Sequence, residues 1–171
     1  MAVSIRPWRL SDAADVAVIM NNKKVQDKLR DGIPFPYTEK DGAEFISGTL
    51  SAGQGGAFAF AIIADGKVAG SIGAFRQANI YSRTAEIGYC VGEGGWGKGI
   101  CTAAVKLVCR HVFDGTDIIR IYASPFAYNA ASCRVLEKAG FQYEGTLRSN
   151  AVKNGEVLDM KMYALIKAYG Q

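Results

Sequence analysis

The sequence holds a single histidine, His111, and its four cysteines, Cys90, Cys101, Cys109 and Cys133, include no Cys-x-x-Cys pair. No zinc ligand set is spelled out, and no other metal motif takes its place. Lying in predicted strands and helices, the cysteines read as buried, reduced thiols of a cytoplasmic protein. Long apolar runs are also missing: the longest, residues 57–64, has eight residues, against the ~20 a membrane helix requires. Residues 1–6 lack the charged and then apolar profile of a secretory signal. Basic residues form no run of four or more, so the net charge of +4 makes no footprint for nucleic acid. No linker, low-complexity tract or internal repeat divides the 171 residues, which are expected to form one domain, 1–171. No motif specifies an oligomeric state.

What is present reads as alternating helix and strand. Residues 4–6 suit a short first strand. Ser11 is expected to cap a helix that turns Ala13, Val16, Ala17 and Met20 to one face. Asn21-Asn22 interrupts it, and a short second helical stretch runs to Leu29. Two prolines make residues 32–37 a loop. Thr38, with Asp41 in the reciprocal position, caps a further helix with Ala43, Ile46 and Leu50 inward. Residues 57–64 and 67–75 flank Asp65-Gly66, a strong hairpin signal, and residues 84–91 form the next strand. After a glycine-rich loop, a helix at 99–113 shows the stripe Cys101, Val105, Val108, Val112. A strand at 117–123 follows, and then a helix capped by Asn129 and stopped at Gly140. Two final strands, 141–148 and 157–165, meet at the turn Asn154-Gly155. The expected fold class is α/β: a mixed, mostly antiparallel sheet of about seven strands flanked by helices. The stretch 84–123 is the one candidate for a parallel crossover.

The loop at the start of that crossover carries the chemistry. Residues 91–102 read Val-Gly-Glu-Gly-Gly-Trp-Gly-Lys-Gly-Ile-Cys-Thr, with five glycines between a strand and a helix. Glycine lets backbone N–H groups approach a ligand closely, and a helix N-terminus adds unpaired donors and a positive dipole end. A phosphate ligand is favoured over a plain connection. Residues 92–99 nearly spell a nucleotide P-loop, but Gly99 stands where a serine or threonine must meet Mg²⁺. The strands before the loop form hairpins, which argues against a dinucleotide fold.

Trp96-Gly97-Lys98-Gly99-Ile100-Cys101 resembles the cofactor loop of the GNAT superfamily of N-acetyltransferases, in its ribosomal-protein (RimJ/RimL-like) branch. Ala85-Glu86-Ile87-Gly88-Tyr89 resembles the same branch. So do Asn129-Ala130-Ala131-Ser132, the following Val135-Leu136-Glu137-Lys138-Ala139-Gly140-Phe141, and Glu144-Gly145. The likeness runs from about Ile5 to about Leu165. It implies a GNAT-like fold and acetyl-CoA as co-substrate. The pantetheine arm is expected beside the backbone of Cys90, Val91 and Gly92. The pyrophosphate is expected on the loop from Trp96 to Cys101 (Gly97, Lys98, Gly99 and Ile100 between them), with the Thr102 hydroxyl and Asn129 as further contacts.

The reaction that the resemblance implies is direct attack of an amine on the thioester. The acceptor is a small amine or a protein N-terminus. A backbone N–H near Val91 would serve the oxyanion, and Ser132 is the candidate acid for the departing thiolate, with helix support as its other reading. Leu136 stands where many relatives carry a tyrosine, and Ala151 where some carry a glutamate. Glu86 is then the candidate base, although the superfamily's usual strand carboxylate aligns with Ala85; the alternative is an ion pair with a neighbouring arginine. Asp159 is a further candidate. The acceptor end is expected from residues 23–37, the helix after Thr38 and residues 150–156, with Glu39, Asp41, Glu44 and Glu156 able to recruit a cation. A module that binds acyl-CoA without catalysis is the competing reading.

Overall fold

The structure, a computed structural model, describes residues 1–53 and 56–168. Its strands are β1 (Val3–Arg6), β2 (Ala57–Ala64), β3 (Lys67–Arg76), β4 (Thr84–Val91), β5 (Arg120–Ala123), β6 (Gln142–Lys153) and β7 (Glu156–Ile166). Its helices are α1 (Ala13–Met20), α2 (Lys23–Gln26), α3 (Glu39–Ala52), α4 (Ile100–Gly115) and α5 (Ala130–Lys138). The strands form one seven-stranded sheet in the order β1-β2-β3-β4-β5-β7-β6. Every pairing is antiparallel except β4 with β5. The parallel pair is therefore the crossover made by α4.

Strand alternation sorts the core into two layers. Phe58, Phe60 and Ile62 of β2 join Ile72, Ile87, Val105, Val108, Val112 and Leu136 in the larger cluster, beneath α4 and α5. Ala61 turns the other way and meets Trp8, Val16 and Ile46 beneath α1 and α3. Both hairpin turns take left-handed backbone at each central residue, Asp65 and Gly66 (φ 47° and 80°) and Asn154 and Gly155 (φ 51° and 77°). That geometry matches the twist of the flanking strands.

Several local expectations are corrected. Ser11 lies inside a 3₁₀ turn, Leu10–Asp12, and caps nothing; Asp12 instead accepts the Arg9 N–H at 2.9 Å. Leu50 is 49% exposed, because α3 is buried closer to its start, where Gly42 packs on Ala13 and Val16 of α1 and Ile46 joins the cluster around Trp8 and Ala61. Cys101 sits beside the buried stripe of α4, which runs through Ile100, Ala104, Val105, Val108 and Val112. The sixth strand continues to Lys153, past register shifts between Tyr143 and Gly145 and between Leu147 and Ala151. Among the described residues no helix is long and apolar enough to cross a membrane.

Candidate active site

The sheet opens at its centre. β4 and β5 pair only at Thr84–Arg120, Ala85–Ile121 and Glu86–Tyr122, whereas β4 stays paired with β3 as far as Val91. From Ile87 onward, one edge of β4 has no neighbouring strand. In an antiparallel pair, alternate residues turn both backbone groups toward or away from the partner. Thr84 O accepts from Gln77 N and Gly92 N–H donates to Ala69 O, so even-numbered residues of β4 face β3. The groups on the open edge are therefore those of odd-numbered residues, the backbone of Tyr89 and the N–H of Val91 among them, while the Val91 C=O takes the Trp96 indole N–H. This corrects two of the three backbone positions expected there. Cys90 is turned to β3, and both groups of Gly92 are already bonded, its N–H to Ala69 and its C=O to Gly95 N.

The glycine loop stands at the wide end of this gap. Trp96 Nε1 donates to Val91 O at 2.9 Å and ties the loop to the strand. Gly97 and Gly99 have φ of 73° and 78°, and a Cβ built on either meets nothing within 4 Å. α4 starts at Ile100 with no side-chain cap, so the N–H groups of Ile100, Cys101 and Thr102 emerge at the loop beside exposed Lys98. A bare helix N-terminus facing open space suits a phosphate. Burial pushes the Cys90 thiol up to about 11 and that of Cys101 up to about 12, which makes both poor nucleophiles.

The start of α5 supplies the other predicted residues. Asn129 Oδ1 accepts the Ser132 N–H at 3.3 Å and so acts as the helix cap. The Ser132 hydroxyl is half-buried and lies 2.9 Å from the hydroxyl of Tyr89, which also donates to Ser132 O at 3.3 Å. Burial raises the Tyr89 pKa and keeps the phenol neutral, while the Ser132 hydrogen bond pulls the other way. Tyr89 is the residue that sequence reasoning passed over. Its signal is the strand alternation, which puts odd-numbered residues of β4 on the face toward α4 and α5.

Glu86 lies on the opposite face of the sheet from Ser132. β4 has no bulge, so Ala85 is fully buried under the α4 layer and Glu86 looks into a cavity of about 440 Å³. Arg30, Asp31, Tyr122, Phe126, Asn150, Lys153, Met160 and Met162 are among its walls. Both Glu86 oxygens pair with the Arg30 guanidinium. The predicted acceptor segments around residues 30 and 150 do converge here, but the expected recruiting acids do not. Asp41 is held by Thr38, whose bonds lower its pKa, and it lines a second cavity with Glu44. Asp159 is exposed and accepts the Ser149 N–H at 2.7 Å, one residue out of phase with cavity-lining Met160. Among the described residues no group of three potential ligands could hold a metal.

The acetyltransferase (GNAT) domain family matches residues 3–142. The chain belongs to the GNAT acetyltransferase family. Along its length it is similar to the uncharacterized N-acetyltransferase p20 of Bacillus licheniformis, 30% identical over 167 residues, covering 96% of this chain and 93% of that protein. The ribosomal-protein-serine acetyltransferase of Escherichia coli is 27% identical over 150 residues, covering 87% of this chain and 83% of that enzyme. Among solved structures, RimJ of Mycobacterium smegmatis in complex with CoA-disulfide superimposes with a TM-score of 0.85 at 27% identity, covering 96% of this chain and 81% of that one. The GNAT fold expected from the resemblance, with its opened β4–β5 pair, is the fold observed.

Proposed function

We propose that this acetyltransferase moves an acetyl group from acetyl-CoA to a primary amine, a small molecule or a protein N-terminus, by direct attack at the β4–β5 gap. The observation that carries the reading is the gap itself. It joins an open glycine cradle on a helix N-terminus to a cavity holding a carboxylate. Gly97, Lys98, Gly99, Ile100, Cys101 and Thr102 would hold the pyrophosphate, with Trp96 fixing the loop, and the open edge of Tyr89 and Val91 would align the arm. Acetyl-CoA, when bound, supplies an activated acyl carbon.

The chain's own residues account for the rest. Glu86 takes a proton from the acceptor ammonium, directly or through water, and frees the nitrogen lone pair that forms the new C–N bond. The Val91 N–H, on the open edge, stabilises negative charge on the carbonyl oxygen. As the C–S bond breaks, Ser132 gives its proton to the sulfur. The nitrogen, which still carries two protons after the attack, loses one to solvent as the amide forms, and Ser132, held by the Tyr89 hydroxyl, regains its proton from solvent. The four free cysteines among the described residues support a cytoplasmic location.

Thermal shift with acetyl-CoA, followed by thiol release over an amine and peptide panel, tests the reading. A ligand at a hundred times its Kd stabilises the native state by about 2.7 kcal/mol. Stabilisation without thiol release from any amine would favour the non-catalytic module instead.

A further inference from the structure

Four charges line the acceptor cavity in a chain of contacts. Glu86 pairs with Arg30, Arg30 is followed in sequence by Asp31, and Asp31 pairs with Lys153 at 2.6 Å. The outer two are set on strands and withdrawn from water, with side-chain exposures of 21% for Glu86 and 9% for Lys153. The inner two belong to the segment between α2 and α3 and are 66% and 75% exposed. An ammonium has three donors, yet the Asp31 contact is the one hydrogen bond the Lys153 ammonium makes among the described residues. Its one bonded partner stands in solvent, and Asp27, held by Lys23 and Asn154, is a further anion near it.

From this pattern we infer that the acceptor is an amino acid with a free carboxylate, its ammonium meeting Glu86 and its carboxylate meeting Lys153. The inference rests on the acetyl-transfer reading and names its substrate class. Arg30-Asp31 presents to the two fixed groups the charges an amino acid would present, a cation to Glu86 and an anion to Lys153. Ion pairs to such exposed partners contribute little, so exchanging them for a ligand's charges costs little. Met160, Met162 and Phe126 give the cavity an apolar wall for a side chain. A peptide N-terminus would supply the ammonium but leave Lys153 unanswered.

Thiol release at saturating acetyl-CoA, measured with L-amino acids, their C-terminal amides and short peptides, tests this. The free acids should exceed their amides by about tenfold or more in kcat/KM, mainly through KM, since a site built for a charged group rejects the analogue lacking it. Lys153→Met should bring the free acids down to the kcat/KM of their amides in the same variant, and Lys153→Arg should retain the preference. Because a buried lysine is a risky position, exposed Asp31→Asn is the second variant. Removing the competing anion should lower KM for the free acids several-fold and leave the amides unchanged, an effect that a purely structural role would not produce. Amides or peptides turned over as well as free acids would overturn the inference and leave acetyl transfer standing. No turnover of any amine would overturn both.

Discussion

The hydroxyl of Tyr89 lies 2.9 Å from Ser132 Oγ, joining the open edge of β4 to the first turn of α5. If Ser132 protonates the departing sulfur, Ser132→Ala should lower kcat by roughly tenfold or more with little change in KM. Tyr89→Phe should give a smaller loss of the same kind. In the Ser132→Ala background it should add almost nothing, because Tyr89 acts only through the serine it positions. Additive losses in the double variant, or a loss that follows stability and leaves kcat per folded molecule intact, would reassign the pair to holding α5 on the sheet.

The second prediction concerns Gly99, with its φ of 78° and open surroundings. Gly99→Val should raise KM for acetyl-CoA strongly and cost about 1–3 kcal/mol of stability, since a β-branched residue is strained in left-handed backbone. Gly97→Ala, at the second positive φ, should act in the same direction but less. An unchanged KM in Gly99→Val would make the loop a connection only.

These sites were legible to different degrees, for physical reasons. Asp65-Gly66 and Asn154-Gly155 announce their hairpins because few residue pairs tolerate two left-handed conformations. The glycine loop stands out because backbone at positive φ in open space favours glycine, and Gly97 and Gly99 sit in that geometry before an uncapped helix. Gly92 could not be read correctly, because whether its N–H faces the gap or β3 depends on register, and register is a property of the partner strand. The burial of Lys153 was equally hidden. Its partner, Asp31, is 122 residues away in the chain, and a lysine beside an Asn-Gly turn looks solvent-exposed. Glu86 is legible as a strand carboxylate, but its face follows only from the unbroken β3–β4 register, which turns Ala85 into the core.

A third prediction is structural. Asp12 is buried, takes both nitrogens of the Arg6 fork at 2.7 and 2.9 Å, and accepts the Arg9 N–H. The Arg6 hydrogen bond is the main cause of its lowered pKa, opposed by burial. A lowered native pKa means stability that is complete above the ordinary carboxylate range, near pH 4, and is lost as pH falls through the native value. Asp12→Asn should therefore flatten the acid limb of the stability curve. Asp12→Ala, which leaves Arg6 without its partner, should destabilise by about 3 kcal/mol at neutral pH. Urea melts across pH 2–7 check both, and an unchanged acid limb in Asp12→Asn would assign acid sensitivity elsewhere.

The last prediction concerns the base. Glu86 faces the acceptor cavity, across the sheet from Ser132, so proton removal from the amine and proton delivery to the sulfur are assigned to opposite sides of the gap. Glu86→Gln keeps size and hydrogen bonding but cannot take a proton, and it should reduce kcat/KM by about 10² and flatten the acidic limb of the profile. Arg30 is the informative partner, since it holds both oxygens of Glu86. Arg30→Gln removes a cation that competes with the substrate ammonium, so it should lower KM for the amine or leave it unchanged, and it should keep the pH profile that Glu86→Gln loses. Asp159→Asn, whose carboxylate is tied to Ser149 outside the cavity, should leave the profile as it is. A wild-type acidic limb in Glu86→Gln would take the proton away from this carboxylate and assign its loss to solvent, with Glu86 and Arg30 left as a pair that shapes the cavity wall.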